Sequence, residues 1–248
     1  MSPAELEMGH MAGMRVLLTR PLQQSRMLAA DLARLGWEPM ITPMLEIAPR
    51  TWHDGALSGA QAVLLTSANG ARELARAVSV DRNLPAYCVG PATAEPLAQA
   101  GFVSLHCASG TATDLVRLVH RDLAPRNGPL AYLSGNVVSR DLGPLLAPFG
   151  FEVRRAIVYE SRPARTLTDE ARHAIAAGEV AVVLFLSVRT ALTFRDIAMV
   201  GELAQACEAI RAVTLSQQIA SALEPLKFAQ VAVAREPNRS ALLAALGG

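Results

Sequence analysis

The sequence predicts an α/β protein, and three of its features carry that prediction. Solid apolar runs of four to six residues, such as VLLT, AVLLT, YCVG, LAYLS, VVLFL and RAVTL, are too uniform for strands wetted on one face. They suit a parallel sheet covered by helices on both sides. The segments behind them carry apolar residues at helical spacing, Leu28, Leu32 and Leu35 among them, and stop at Gly36, Gly101 and Gly150, where a left-handed cap is expected. The third feature is that the chain reads itself twice.

Taken in order, RVLLT is the first strand and SRMLAADLARLGWEP, from Ser25, the helix behind it. PMLEIAPRTW, near Pro43 to Trp52, is extended and has no helix after it. AVLLTSANGARELARA, YCVG with TAEPLAQAGF, and LAYLS with SRDLGPLLAPFGFEV then alternate strand and helix. FEVRRAIVYESRP, near Phe151 to Pro163, is again extended, before VVLFLSVRTALTFRDI and RAVTL with IASALEPLKF resume the alternation. Three pairs match in the same order: Ser25 with Ser139, Ser67 with Ser187, and Thr93 with Ile219. Their offsets grow from 114 (139 minus 25) to 120 (187 minus 67) to 126 (219 minus 93), as duplicated units with loop insertions require. Two related halves of right-handed βαβ units follow, with the two extended stretches as connecting strands and a cleft expected between the sheets. Residues 1–13 have no pattern of their own and are expected to be a disordered leader.

Composition excludes several functions. Of 248 residues 51% are hydrophobic, which is incompatible with a disordered chain, and only 4% are aromatic, which leaves little for base stacking. Twenty-three basic residues against 22 acidic ones give a net charge of +1, too weak a field for a nucleic-acid or membrane partner. Cys88, Cys107 and Cys207 are odd in number and set in apolar surroundings, and read as reduced core thiols of a cytoplasmic protein. No apolar stretch approaches the roughly 20 residues of a membrane helix. Without a heptad stripe, a monomer is expected.

In an open parallel sheet, ligands gather at the carboxyl ends of strands, beside free helix N-termini. The turns there are Thr19-Arg20-Pro21, Thr66-Ser67-Ala68-Asn69, Gly90-Pro91-Ala92-Thr93, Ser109-Gly110-Thr111, Ser134-Gly135-Asn136, Ser187-Val188-Arg189 and Ser216-Gln217-Gln218. Each is also an ordinary helix start, since Ser, Thr and Asn cap helices in any protein. No GxxxxGK[ST], no GxGxxG after the first strand and no GxSxG is present, which disfavours nucleotide cofactors and a serine hydrolase. His10, His53, His106, His120 and His173 are scattered without metal spacing, so no metal is assigned. What remains is a set of hydroxyls and backbone N–H groups with Arg20, Arg140, Arg162 and Arg189, suited to a ligand with many carboxylates. Such a site positions a reactive substrate and donates a proton; it does not break a stable bond.

The ordered set VLLTRP, TSANGA, VGPATAEPL with AGF, SGN with FGFEV, and IVYES resembles the uroporphyrinogen-III synthase family from about Met14 to Leu246. The resemblance implies two parallel-sheet α/β domains, flavodoxin-like or Rossmann-like, joined by a two-stranded connector. Residues 14–44 with 163–248 would form one domain, 52–151 the other, and 45–51 with 152–162 the connector. It implies a cofactor-free lyase that closes hydroxymethylbilane, a linear tetrapyrrole with eight carboxylates, with inversion of the last ring and loss of water.

By the same resemblance the connector tyrosine is Tyr159, with the implied role of helping the substrate hydroxyl leave, and the threonine of a G-x-x-T turn is Thr93. Read without it, Tyr159 packs a strand and Thr93 caps a helix. Gly90, Ser67, Ser187, Gly135, Asn136 and Arg140 fall on substrate-binding positions, with Thr19 and Arg20 at the first turn. The chain departs from the family where Gly-Pro-Thr-Thr is expected in the second half: Ser216-Gln217-Gln218-Ile219 stands there, and the threonine is read as Gln218, with Ser216 or Gln218 as substitute donor. The alternative from another class is a non-catalytic receptor for a carboxylated small molecule.

Overall fold

The computed structural model describes residues 14–200 and 203–247; the leader expected over 1–13, with His10, lies outside them. The chain forms two compact units. One runs up to Glu46 and resumes at Arg162; the other is Ile47–Ser161.

The first unit holds β1 (Arg15–Leu18), α1 (Leu22–Arg34) and β2 (Glu38–Ile41). Its later part supplies α6 (Asp169–Ala176), β9 (Val180–Phe185), α7 (Val188–Ala198), α8 (Leu203–Ala206), β10 (Arg211–Thr214), α9 (Gln217–Ala222), β11 (Gln230–Val233) and α10 (Arg239–Ala244). Five strands form a parallel sheet in the order β11-β10-β9-β1-β2. Val16 and Leu18 pack with Leu28, Leu32 and Leu242 on one face, while Leu17 packs with Ile175, Phe194 and Ile219 on the other. Burial on both faces is why β1 is apolar without alternation. Leu35 caps α1 and is exposed rather than part of that face.

The second unit contains β4 (Ala62–Leu65), α2 (Ala68–Arg76), β5 (Ala86–Cys88), α3 (Pro91–Gln99), β6 (Leu105–Cys107), α4 (Ala112–Asp122), β7 (Leu130–Gly135) and α5 (Leu142–Leu146). With β3 (Leu45–Pro49) and β8 (Val153–Pro163), its strands build a six-stranded sheet in the order β3-β8-β7-β4-β5-β6. α2 and α3 cover one face and α4 and α5 the other. The two extended stretches are also strands of this sheet: β8 pairs in parallel with β7 from Val153 to Tyr159. The chain passes between units within β3 and returns within β8.

Read from β9, the five-stranded sheet has the order third-second-first-fourth-fifth; read from β4, the parallel part of the other sheet has the same order. β4 thus corresponds to β9, β5 to β10 and β7 to β1, the pairing that the internal repeats require. The units are circularly permuted copies of one topology. Gly36, Gly101 and Gly150 end their segments at φ of 86°, 84° and 83°, the left-handed region that glycine enters without a Cβ penalty.

Candidate functional site

The clearest arrangement lies at the carboxyl end of β7. Up to Ser134 the register is regular, with Tyr132 opposite Arg155, Leu133 opposite Ala156 and Ser134 opposite Ile157; Gly135 then pairs with Tyr159, so β8 has slipped by one residue. Alternation would send Tyr159 to the face of Arg155 and Tyr132. The bulge sends it instead to the face where Val158 and Leu133 lie, with Leu65, Leu74, Ala94 and Leu97. There the ring rests on Gly135: a Cβ on that glycine would stand 2.6 Å from Cε2, 2.7 Å from Cζ and 3.0 Å from Oη. Any side chain at 135 would force the ring or the strand to move. Tyr159 is 7% exposed, so a ligand reaches at most one edge of it.

Asn136 extends this contact past the end of β7. Its N–H donates to Tyr159 O at 3.1 Å, and its Oδ1 accepts from Ser161 N at 2.9 Å. A side-chain amide thus continues the ladder where the backbone leaves it. Arg140 lies in the exposed loop beyond.

Ser67 is the N-cap of α2, its Oγ accepting from Asn69 N at 3.2 Å. The turn Gly90 to Thr93 corrects the capping alternative: Gly90 is the N-cap of α3, and Thr93 is the third residue of the helix, buried, its N–H donating to Gly90 O at 3.0 Å. Ser67, Gly90, Thr93, Gly135, Asn136 and Tyr159 all belong to the carboxyl edge of the six-stranded sheet.

A polar cluster on the opposite face of that edge was not read from the sequence. Arg155 donates through Nε to Ser134 Oγ at 2.8 Å, through Nη2 to Gly135 O at 2.9 Å and through Nη1 to Asp141 Oδ2 at 3.1 Å. Its guanidinium carbon lies 5.9 Å from the centre of the Tyr132 ring. Tyr132 Oη is within 3.0 Å of Thr66 Oγ1, and burial pushes the fully enclosed phenol of Tyr132 above its ordinary pKa. Its partners come from three segments, so no local motif announces it.

In the other unit, Thr19 is fully buried and its hydroxyl donates to Leu184 O at 2.7 Å, tying β1 to β9 rather than facing a ligand. Arg20 follows it, donating through Nε to Gln24 Oε1 at 3.1 Å; burial first, then the charge of Arg239, pushes its guanidinium below the ordinary range. Ser187 caps α7 through Thr190 N at 3.2 Å. Ser216 is the N-cap residue of α9 without a side-chain cap bond, and Gln218 is exposed. Ile219 is the third residue of α9 and buried, as Thr93 is in α3, so the counterpart of the Thr93 hydroxyl is Ile219 and not Gln218.

This unit also has a cavity of about 1220 Å³, lined among others by Arg165, Arg172, His173, Arg189, Leu192 and Ile197. Only Arg189 among the sequence candidates in the turns reaches it, and it takes no residue from the surroundings of Tyr159. Cys88 and Cys207 are buried free thiols; Cys107, expected in the core, is exposed on edge strand β6. Among the described residues no group of three or more His, Cys, Asp or Glu could hold a metal, and no helix is long and apolar enough to cross a membrane. The edge around Tyr159 offers hydroxyls, amides and a phenol: hydrogen-bond donors for anions and one proton donor.

Comparison with known proteins places these features in context. The family model Uroporphyrinogen-III synthase HemD matches residues 26–244. The fold is similar to a uroporphyrinogen-III synthetase of Helicobacter pylori, with a TM-score of 0.62 at 17% identity over 93% of this chain and 97% of that one. It is also similar to a mutant uroporphyrinogen III synthase of Thermus thermophilus, with a TM-score of 0.51 at 20% identity over 94% and 97% of the two chains. No curated protein sequence matches the chain.

Proposed function

The chain belongs to the uroporphyrinogen-III synthase family, whose members are cyclising lyases of tetrapyrrole biosynthesis, and on that premise we propose that Tyr159 is the proton donor of its reaction. That reaction closes hydroxymethylbilane into uroporphyrinogen III, inverting the last ring and expelling water. A hydroxyl leaves as water only with an added proton, and a phenol carries its proton at neutral pH. The proton returns when the newly bonded pyrrole carbon loses its hydrogen. The sequence of steps is redox-neutral, so it needs no oxidant or reductant.

The observation that supports this reading is the seat of Tyr159: a bulge aims the ring onto a glycine at the strand end where ligands of parallel sheets gather. We assign Thr93 as the second catalytic hydroxyl. Distributed donors suit a substrate with eight carboxylates. In the unit of Tyr159 that task falls to Ser67, Gly90, Gly135, Asn136 and Arg140. In the other unit it falls to Arg20, Ser187, Ser216 and Gln218, while the buried hydroxyl of Thr19 is engaged by Leu184 O. A monomer acting in the cytoplasm is part of the proposal, checked by sedimentation and by fractionation.

The deciding experiment adds purified protein to hydroxymethylbilane and measures the isomers formed. Left alone, the substrate closes to the symmetric isomer; the enzyme is expected to turn the product to type III. An unchanged isomer ratio would leave only a receptor for the same class of ligand.

A further inference from the structure

We infer that Arg155 is a positioning residue for Tyr159, acting through the end of β7; the inference rests on the role given to Tyr159 above. Each of the three guanidinium nitrogens donates inward, to Ser134 Oγ, to Gly135 O and to Asp141 Oδ2. Gly135 has no side chain to anchor it and sits beside a bulge, where the regular ladder is broken. The bond to its carbonyl, joined by one at 3.1 Å from Ser134 Oγ, which Arg155 Nε itself holds, therefore fixes a peptide whose other side carries the tyrosine ring. Asp141 accepts from Gly143 N at 3.0 Å as the cap of α5, so the same guanidinium holds both ends of the loop that contains Asn136 and Arg140. Asn136 in turn bonds the backbone of Tyr159. Two routes, one through Gly135 and one through Asn136, thus lead from Arg155 to the ring.

The fork geometry matters. A planar guanidinium reaches three acceptors in fixed directions, whereas an ammonium on a flexible stem satisfies them only in part. Because the ring already fills the place of a Cβ on Gly135, a small shift of that peptide moves the phenol. Misplacing a reacting group by about 1 Å can cost about 100-fold in rate.

The test uses the full chain labelled with 3-fluorotyrosine, whose three tyrosines give a simple fluorine spectrum. The line of Tyr159 is the one that vanishes in Tyr159→Phe. Arg155→Met is expected to shift or broaden it and to lower kcat about 10-fold with KM nearly unchanged, a smaller displacement than the full case. Arg155→Lys is expected to recover part of both. In the Tyr159→Phe background, Arg155→Met is expected to lower kcat no further. Ser134→Ala, which removes the bond from Nε and the serine's own bond to Gly135 O at 3.1 Å, and Asp141→Asn, which removes the charged acceptor of Nη1, give the same shift at smaller size should Arg155→Met fail to fold. An unmoved Tyr159 line with an impaired Tyr159→Phe overturns the inference and leaves the role of Tyr159 standing. A moved line with a fully active Tyr159→Phe overturns that role and supports the positional link. An equal loss of kcat in both backgrounds also overturns the inference, because Arg155 then acts independently of the phenol.

Discussion

Gly135 and Tyr159 occupy each other's space: the ring lies where a side chain on the glycine would be, with Cε2 2.6 Å from the position of its Cβ. Gly135→Ala therefore forces the ring or the strand to move. Overpacking of this kind costs about 1–3 kcal/mol. Turnover is expected to fall about 10-fold or more as the phenol leaves its seat, while thermal melting drops by a few degrees. Wild-type turnover in Gly135→Ala would show that the ring position does not matter to the reaction.

Tyr159→Phe keeps the packing and deletes the proton. General acid catalysis contributes about 100- to 10,000-fold, and a loss within that range is expected in the formation of type III product. Binding of product, measured by calorimetry, is expected to weaken far less. Equal losses in turnover and binding would make the hydroxyl a binding group only.

The extent to which this site was legible differs residue by residue. The central strands were readable because both faces are buried, so that Val16, Leu17 and Leu18 are all apolar. The edge strands β2, β6 and β11 were not, being short, partly exposed and mixed in composition, as in EPMI, LHC and QVAV. Tyr159 could be named from its motif, yet its direction could not, since period-two alternation groups it with Arg155 and the bulge is a backbone event with no residue signature. Gly135 read as a turn glycine; the ring it makes room for comes from a distant segment. Arg155 is one of two adjacent arginines in an extended stretch, and only the placement of Ser134 and Asp141 beside it reveals what it holds.

Gly70 sets helix propensity against packing. Alanine normally stabilises a helix interior by about 1 kcal/mol over glycine. Here the added Cβ would stand 2.9 Å from Leu133 O and 3.3 Å from Leu65 Cδ2, in a helix pressed onto β7. A backbone oxygen yields less readily than a side-chain tip, so Gly70→Ala is expected to destabilise by about 1–3 kcal/mol. Denaturant titration decides the sign; a rise in stability would mean that α2 can lift off the strand without loss.

The two buried thiols contribute to the pH dependence of stability in the alkaline range. Burial pushes Cys88 up to about 12 and Cys207 to about 11, from an ordinary value of 9.0, the neighbouring Cys107 adding to the shift at Cys88. The folded chain thus keeps two protons that the unfolded chain releases above about pH 9. Their contribution is fully present below the unfolded pKa and is lost as pH rises through the folded values, by roughly 1 kcal/mol per pH unit for each thiol. Cys88→Ala and Cys207→Ala are expected to flatten the fall in unfolding free energy above pH 9, measured by urea titration at fixed pH. A thiol reagent at pH 8 is expected to label Cys107 alone in the native chain, and all three cysteines once it unfolds. Rapid labelling of Cys88 or Cys207 in the native chain would place those thiols outside the cores that hold them protonated.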